Sequence, residues 1–137
     1  MRLVYRWLPA VVWMAVIFTF SAQTGSEINT LLPFFQKLLP AMQSFDWGHF
    51  LEYFVLGLAF LWALADEKPT WKAKLGVIVP ALLYGATDEY HQLFVPGRMS
   101  DLADLRNDGI GAALAMLFVS IPGIARLYAK LPHAKKR

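Results

Sequence analysis

Four stretches of apolar residues, separated by shorter polar ones, divide the chain. They cover roughly residues 7–20, 50–65, 75–87 and 110–121. Each is shorter than the ~20 residues that a membrane-spanning helix requires, so the polar residues at its ends must lie within or at the membrane boundary. The pattern predicts an all-α polytopic membrane protein with four transmembrane helices, over about 4–22, 48–66, 73–92 and 103–122.

Composition supports a membrane protein over a soluble one. The 137 residues form one domain, 1–137, with 57% hydrophobic and only 17% charged residues and a mean hydropathy of +0.42. Soluble domains contain about a quarter charged residues, and a soluble fold this short could not bury so much apolar surface. The absence of cysteine excludes disulfides and thiolate zinc sites.

The net charge of +3 does not indicate nucleic-acid binding, because the basic residues flank the apolar stretches. They are dense before the first predicted span, between the second and third, and after the fourth. These residues are Arg2, Arg6, Lys68, Lys72, Lys74, Arg126, Lys130, Lys135, Lys136 and Arg137. Lysine and arginine favour the cytoplasmic side, so we expect both termini in the cytoplasm, an N-in/C-in topology.

The first external connection contains "SEINTLLPFFQKLLPAMQSF", in which apolar residues recur at helical spacing. Pro33 and Pro40 should prevent one uninterrupted helix. We therefore expect a kinked amphipathic segment in the outer interface. A packed loop and an element that gates access to a site both fit this pattern.

The second span begins with a histidine and a carboxylate on one helix face. His49 and Glu52 are three residues apart. Glu52 stands among aromatic and aliphatic residues, where an ionised carboxylate is costly unless it is paired or hydrated. The pair could form a hydrogen bond that fixes helix packing, but that cost favours a functional role.

The third span ends in "ATDEYHQLFVPGR", which is unusually polar for the end of an apolar helix. Asp88, His91 and Gln92 should share one helix face, whereas Glu89 points to another side. The Val-Pro-Gly sequence that follows predicts a tight turn, which presents Arg98 near the headgroups. Arg98 could simply extend to the surface, or it could bind a phosphate or carboxylate with two hydrogen bonds.

The fourth span begins with "SDLADLRNDGIG". Ser100 could cap this helix, and Asp101 would favourably meet the helix dipole. Asp104 and Asp108 lie on the same stripe but deeper, which favours a functional role for both. Small residues follow and predict close helix packing: Gly109, Gly111, Ala112 and Ala115.

In this topology the polar side chains converge on the external half of the membrane. Carboxylates beside a histidine could transfer protons. Oxygen and imidazole ligands could also hold a divalent cation. The spacing matches no specific metalloprotease motif, so both interpretations stay open.

The order of these motifs is similar to that of VanZ-like membrane proteins. The resemblance is carried by "FTFSAQ", "HFLEY", "DEYHQLFVPGR" and "DLRNDGIG", which together extend over nearly the whole chain. His91 does not occupy a position of the family signature, and Ala115 stands where a second glycine is expected. The resemblance implies a small multi-pass protein of the bacterial cytoplasmic (inner) membrane.

Candidate site residues follow from the spacing and the resemblance together. The candidates for acid–base catalysis are His49, Glu52, Asp88 and Glu89. The candidates for substrate binding are Ser21, Gln23, Gln92, Arg98, Asp104 and Asp108. The metal ligands, if a divalent cation is the cofactor, are not specified by the sequence.

The resemblance implies contact with membrane lipids or a lipid-linked precursor, and a link to resistance against the glycopeptide teicoplanin. One hypothesis is an enzyme that modifies a lipid-linked or anionic envelope component. A non-enzymatic binder of lipid or cell-wall precursor ranks nearly level with it. A proton- or ion-coupled carrier ranks third, because the acids occupy one half of the helices only.

Overall fold

The computed structural model describes residues 2–38, 40–41, 46–64 and 69–131. Within those residues all regular secondary structure is α-helical. The helices are α1 (Arg2–Ser21), α2 (Gly25–Leu38), α3 (Asp46–Leu64), α4 (Trp71–Gln92), α5 (Leu102–Phe118) and α6 (Pro122–Ala129).

The prediction of an all-α protein is confirmed, and four of the helices match the expected spans to within a few residues. In the described part of the chain, two helices are long and apolar enough to cross a membrane, over Val4–Ser21 and Trp47–Leu64. The α5 and α6 helices meet the same condition only as a pair, with an 81° bend between them. The four-span topology therefore stays a prediction, as does its N-in/C-in orientation.

The α4 and α5 helices begin at polar caps. Thr70 caps α4 by accepting a hydrogen bond from the Ala73 backbone N–H. The expectation that Ser100 caps α5 is wrong, because Asp101 is the cap and accepts from the Ala103 N–H. Aspartate and serine serve equally well at this position, so the sequence alone does not choose between adjacent candidates.

The expected amphipathic segment is present as α2, but proline interrupts it less than predicted. Pro33 lies inside the helix, whereas Pro40 follows its end. An internal proline removes a single backbone hydrogen bond, and here the helix continues past it. On the inward face of α2, Ile28 is buried and takes part in packing.

Contacts between the helices show that consecutive long helices alternate in direction. Trp7 of α1 packs on Phe60 of α3, and the Trp13 indole donates to the Glu52 carbonyl, so α1 and α3 are antiparallel. The Lys74 ammonium, near the start of α4, donates to the Ser120 hydroxyl just after α5. The start of α1 and the end of α5 therefore lie at the same end of the bundle.

The α3 and α5 helices form the most extensive contact and run in the same direction. Gly57 faces the fully buried Ala112 and Ala115, and a Cβ on Gly57 would lie 3.1 Å from that of Ala115. A Cβ on Gly111 would lie 2.5 Å from the Phe50 carbonyl oxygen. The prediction that the small residues of the fourth span serve close packing is confirmed.

The outward faces of the helices are covered with large apolar side chains. Val12, Val79, Leu83 and Leu117 are each more than half exposed. A soluble monomer rarely exposes apolar surface on this scale. These apolar helices identify a membrane protein.

Candidate functional site

The unusual polar side chains gather at one end of the bundle. They come from the end of α1, the beginnings of α3 and α5, the end of α4 and the loop after α4. The opposite end carries basic residues that were predicted to face the cytoplasm. Those in the described part of the chain include Arg6, Lys72, Lys74, Arg126 and Lys130. The predicted convergence is thus present, and the two ends differ in charge.

His49 lies at the centre of a polar cluster, which consists of His49, Glu89, Asp104 and Asp108. Its Nδ1 lies 2.7 Å from Oδ1 of Asp108, and its Nε2 lies 3.7 Å from Oδ2 of Asp104. A carboxylate can only accept, so Nδ1–H donates to Asp108 and Nε2 is left to face Asp104. The parallel course of α3 and α5 brings these residues together.

Glu89 reaches the same cluster from α4. Its Oε2 accepts a hydrogen bond of 2.8 Å from the Asp101 backbone N–H at the start of α5. Glu89 is 6% exposed, and its Oε1 has no hydrogen-bond partner among the described residues. Glu89 and Asp88 therefore point to different sides of α4, as predicted, and Glu89 lies on the side that faces His49.

On the other face of α4, Asp88 and Gln92 form a buried pair. The Gln92 Nε2 donates to Oδ2 of Asp88 over 3.2 Å. Within the described part of the chain, Asp88 Oδ1 is buried without a hydrogen-bond partner. Buried polar atoms normally find partners, so an unsatisfied carboxylate oxygen here indicates a functional position.

A cavity of about 570 Å³ lies between α1, α2, α3 and the end of α4. Most of its wall is apolar, with side chains such as Val16, Ile28 and Phe35. Its polar lining consists of Ser21, His49, Glu52, Asp88, Gln92 and Arg98. The shape and chemistry are those of a ligand site, which is mostly apolar with a few polar groups that fix orientation.

Two contacts hold α2 over this cavity. The Gly25 N–H donates to the Pro96 carbonyl over 3.3 Å, and Gly25 also packs directly against Gly97. Gly97 has a φ of 74°, a conformation that side chains disfavour. The turn after α4 thus anchors the start of α2, and the same turn places Arg98 in the cavity wall.

The start of α2 is also closed by a capping box, Thr24-x-x-Glu27. Glu27 Oε2 accepts 2.8 Å hydrogen bonds from the Thr24 N–H and hydroxyl, and the Glu27 N–H donates back to Thr24 Oγ1. The hydrogen bonds from the Thr24 backbone and side chain lower the pKa of Glu27 below its ordinary value. The T-x-x-E sequence is a signal from which this helix start can be predicted.

Two of the predicted polar residues lie apart from the others. Gln23 donates from its side chain to the Thr19 carbonyl, and it does not line the cavity. His91 stacks on Phe18 of α1, with ring centroids 4.3 Å apart, rather than joining Asp88 and Gln92. The remaining candidates line the cavity, belong to the polar cluster or, as with His49, do both.

Three aromatic residues near the site are not among the predicted catalytic or binding residues, although Tyr53 is part of the "HFLEY" motif. Trp13 lines the cavity while its indole fixes the Glu52 backbone. Tyr53 is fully buried, and its hydroxyl has no hydrogen-bond partner in the described residues. Tyr84 donates to the Met14 carbonyl. Aromatic residues are abundant throughout this chain, so type and spacing do not distinguish these from residues that face lipid.

Fold and site together define a helical membrane protein with a mostly apolar cavity that ends in ionisable side chains. The model of the VanZ/LLP1 family matches residues 6–124. The chain belongs to that family, which confirms the resemblance found in its motifs. No curated protein and no solved structure matches it.

Proposed function

We propose that the chain binds a membrane lipid or lipid-linked precursor with an anionic headgroup in the cavity, at the outer face of the bacterial cytoplasmic membrane. The observation that carries this proposal is the cavity itself. An acyl or prenyl chain fits its apolar wall, and the guanidinium of Arg98 stands in the same lining as Gln92 and Ser21. Arginine binds phosphate and carboxylate oxygens with two parallel hydrogen bonds.

The distribution of charge supports the outward orientation. Five basic residues lie at the end opposite the cavity's polar lining: Arg6, Lys72, Lys74, Arg126 and Lys130. Fewer basic residues lie elsewhere in the described helices and loops, with Arg98 and Arg106 at the polar end and Lys37 in the last turn of α2. Basic flanks favour the cytoplasmic side, which directs the polar end outward. The α2 helix would then lie in the outer interface as a cover over the bound lipid.

Binding is favoured over transport by the position of the ionisable groups. Glu52, Asp88 and the polar cluster all lie near one end of the bundle, and the fully buried core toward the other end contains Leu56, Leu61 and Val77. A proton or ion path needs polar groups across the whole bilayer. Whether binding is followed by acid–base chemistry on the lipid depends on Glu52 and Asp88, which both line the cavity.

The test is lipid binding to the purified full chain in neutral detergent, measured by native mass spectrometry. Dioleoylphosphatidylglycerol should bind in preference to dioleoylphosphatidylcholine. The substitution Arg98→Gln should weaken phosphatidylglycerol binding by about ten-fold or more, because a hydrogen bond to a charged group contributes ~1.5–3 kcal/mol. Equal binding of the two lipids, or full binding by Arg98→Gln, would contradict the proposal.

Arg106→Gln provides the matched control. Arg106 is exposed, and its guanidinium is bonded to the Asn107 side chain of the same helix. It lies outside the cavity lining, so its removal should leave phosphatidylglycerol binding unchanged. An equal loss in both variants would mean that net charge, and not the cavity, attracts the lipid.

Two further measurements separate the finer alternatives. A change in the mass of the bound lipid during incubation would identify an enzyme, and Glu52→Gln should then abolish that change. An unchanged lipid supports a binder. Expression in a susceptible bacterium, with teicoplanin sensitivity as the readout, tests the link to resistance that the family resemblance implies.

A further inference from the structure

The polar cluster has the donor atoms of a metal site. His49, Glu89 and Asp104 each offer one ligand atom, and these atoms all lie within 4.8 Å of one another. A cation with ligands at about 2.1 Å places neighbouring donor atoms about 3 to 4 Å apart. The 3.7 Å between His49 Nε2 and Asp104 Oδ2 falls in that range.

Asp108 holds His49 in the orientation that such a site requires. Histidine ligands usually donate their second ring N–H to a carboxylate, which fixes the tautomer and makes the ligand nitrogen more basic. Asp108 is fully buried and accepts from Nδ1 of His49 at 2.7 Å. A Cβ on Gly85 would lie 2.5 Å from Asp108 Oδ2, so α4 leaves room for this carboxylate.

Glu89 supplies an independent indication of a ligand. Its Oε2 is fixed by the Asp101 backbone N–H, so the direction of the carboxylate is set. Its Oε1 is buried and has no hydrogen-bond partner among the described residues, and the residue as a whole is only 6% exposed. A buried carboxylate with an unsatisfied oxygen, in a group whose donor atoms lie within 4.8 Å of one another, is a position that a cation stabilises.

The excess of carboxylates over cationic side chains in the polar cluster also supports a bound cation. The polar cluster combines three carboxylates with one imidazole. Among the described residues, no lysine or arginine forms an ion pair with Glu89 or Asp108. Buried charges are normally paired or coordinate a metal. The Asp104 side chain keeps 18% of its surface exposed, which gives an ion access from solvent.

We propose that His49, Glu89 and Asp104 bind one divalent transition-metal ion, Mn²⁺ or Zn²⁺, with Asp108 as the positioning residue for His49. One imidazole and two carboxylates suit these ions better than Ca²⁺ or Mg²⁺, which prefer oxygen ligands alone. His49 also lines the cavity, so the bound ion would lie beside the polar end of the proposed lipid site. The metal proposal itself does not depend on lipid binding.

The test is titration of the EDTA-treated, detergent-purified full chain with MnCl₂, followed by the electron paramagnetic resonance signal of free Mn²⁺. Saturable binding of one ion per chain is expected. Glu89→Gln and Asp104→Asn should each weaken it at least ten-fold, and Asp108→Asn by about ten-fold through His49. Competition by ZnCl₂ should release the bound Mn²⁺.

Glu27→Gln is the matched control, because it removes an exposed carboxylate at the start of α2 that does not belong to the polar cluster. This variant should bind Mn²⁺ like the wild type. Thermal unfolding of every variant without metal checks that it is folded.

Two results would overturn the metal proposal. One is no saturable binding by the wild type of Mn²⁺ in this titration or of Zn²⁺ in isothermal titration calorimetry, and the other is unchanged affinity in folded Glu89→Gln and Asp104→Asn. Lipid binding measured in EDTA then decides the proposed function separately. If the chain binds lipid but not metal, only the metal proposal fails. If it binds metal but not lipid, only the proposed function fails.

Discussion

Along the contact between α3 and α5, the half around Gly57 and Ala115 is built from small apolar residues, whereas the half around His49 and Asp108 buries ionisable groups. The same two helices thus pack in two ways. The apolar half gains van der Waals contact from close approach of the backbones. The polar half buries charged groups and leaves Asp108 Oδ2 without a hydrogen-bond partner among the described residues.

This difference distinguishes structural residues from functional ones. Burying a charge is costly, and replacing buried ion pairs by apolar residues often stabilises a protein. A sequence selected for stability alone would have continued the small apolar pattern along the whole contact. Where the local packing rule is broken at evident cost, a functional site is the expected reason.

The largest effect is expected from Gly111→Ala, at the close approach of α3 and α5 between the two halves. The added Cβ would meet the Phe50 carbonyl oxygen at 2.5 Å and the Phe54 nitrogen at 3.1 Å, and backbone atoms cannot move aside cheaply. Overpacking of this kind typically destabilises by about 1–3 kcal/mol. Thermal unfolding in detergent, followed by circular dichroism, measures the change.

Gly76→Ala is the control for that substitution. Gly76 is also within a helix, and a Cβ there meets nothing within 4 Å. Alanine is a better helix former than glycine, so this variant should gain roughly 0.5–1 kcal/mol. If both variants behaved alike, close approach of α3 and α5 would not determine stability.

An intermediate effect of the opposite sign is expected at the polar end of the bundle, from Asp88→Asn on α4. The amide keeps the size of the side chain while it removes a buried charge whose Oδ1 has no partner in the described structure. We expect the unfolding free energy to rise by about 1 kcal/mol.

The exposed cap variant Asp101→Asn should change stability by less than about 0.5 kcal/mol, because asparagine caps equally well. A clear loss of stability in Asp88→Asn would instead mean that this carboxylate has a structural partner. The contrast between the two halves of the bundle would then be weaker than proposed.

The sequence predicted the helices, their small-residue packing face and most residues of the polar end. It did not predict which side chains of different helices contact one another. Helical periodicity and small-residue spacing act locally, so they located α3, α4 and α5 to within a few residues. The 100° offset between adjacent helical residues also separated Asp88 from Glu89 correctly. These are properties of one helix at a time.

Contacts between helices could not be obtained in this way. Glu89 lies near His49, and His91 stacks on Phe18. Both contacts depend on the rotation of α4 about its axis relative to α1, α3 and α5. The cavity depends likewise on how α2 folds back over α3, which the Gly25–Pro96 hydrogen bond sets. Such contacts join residues far apart in sequence and leave no periodic signal.

The smallest effect is expected outside both halves, at the capping box of α2. The Thr24 hydrogen bonds lower the pKa of Glu27, so its contribution to stability is present above the ordinary value of 4.5 and is lost as the pH falls through the lowered pKa. Glu27→Gln should therefore lower the melting temperature slightly at neutral pH and match the wild type in acid. Thermal unfolding at both pH values measures this. A deficit that persisted in acid would mean that Glu27 acts through its shape, whereas equal melting at neutral pH would mean that the cover over the cavity does not need this carboxylate.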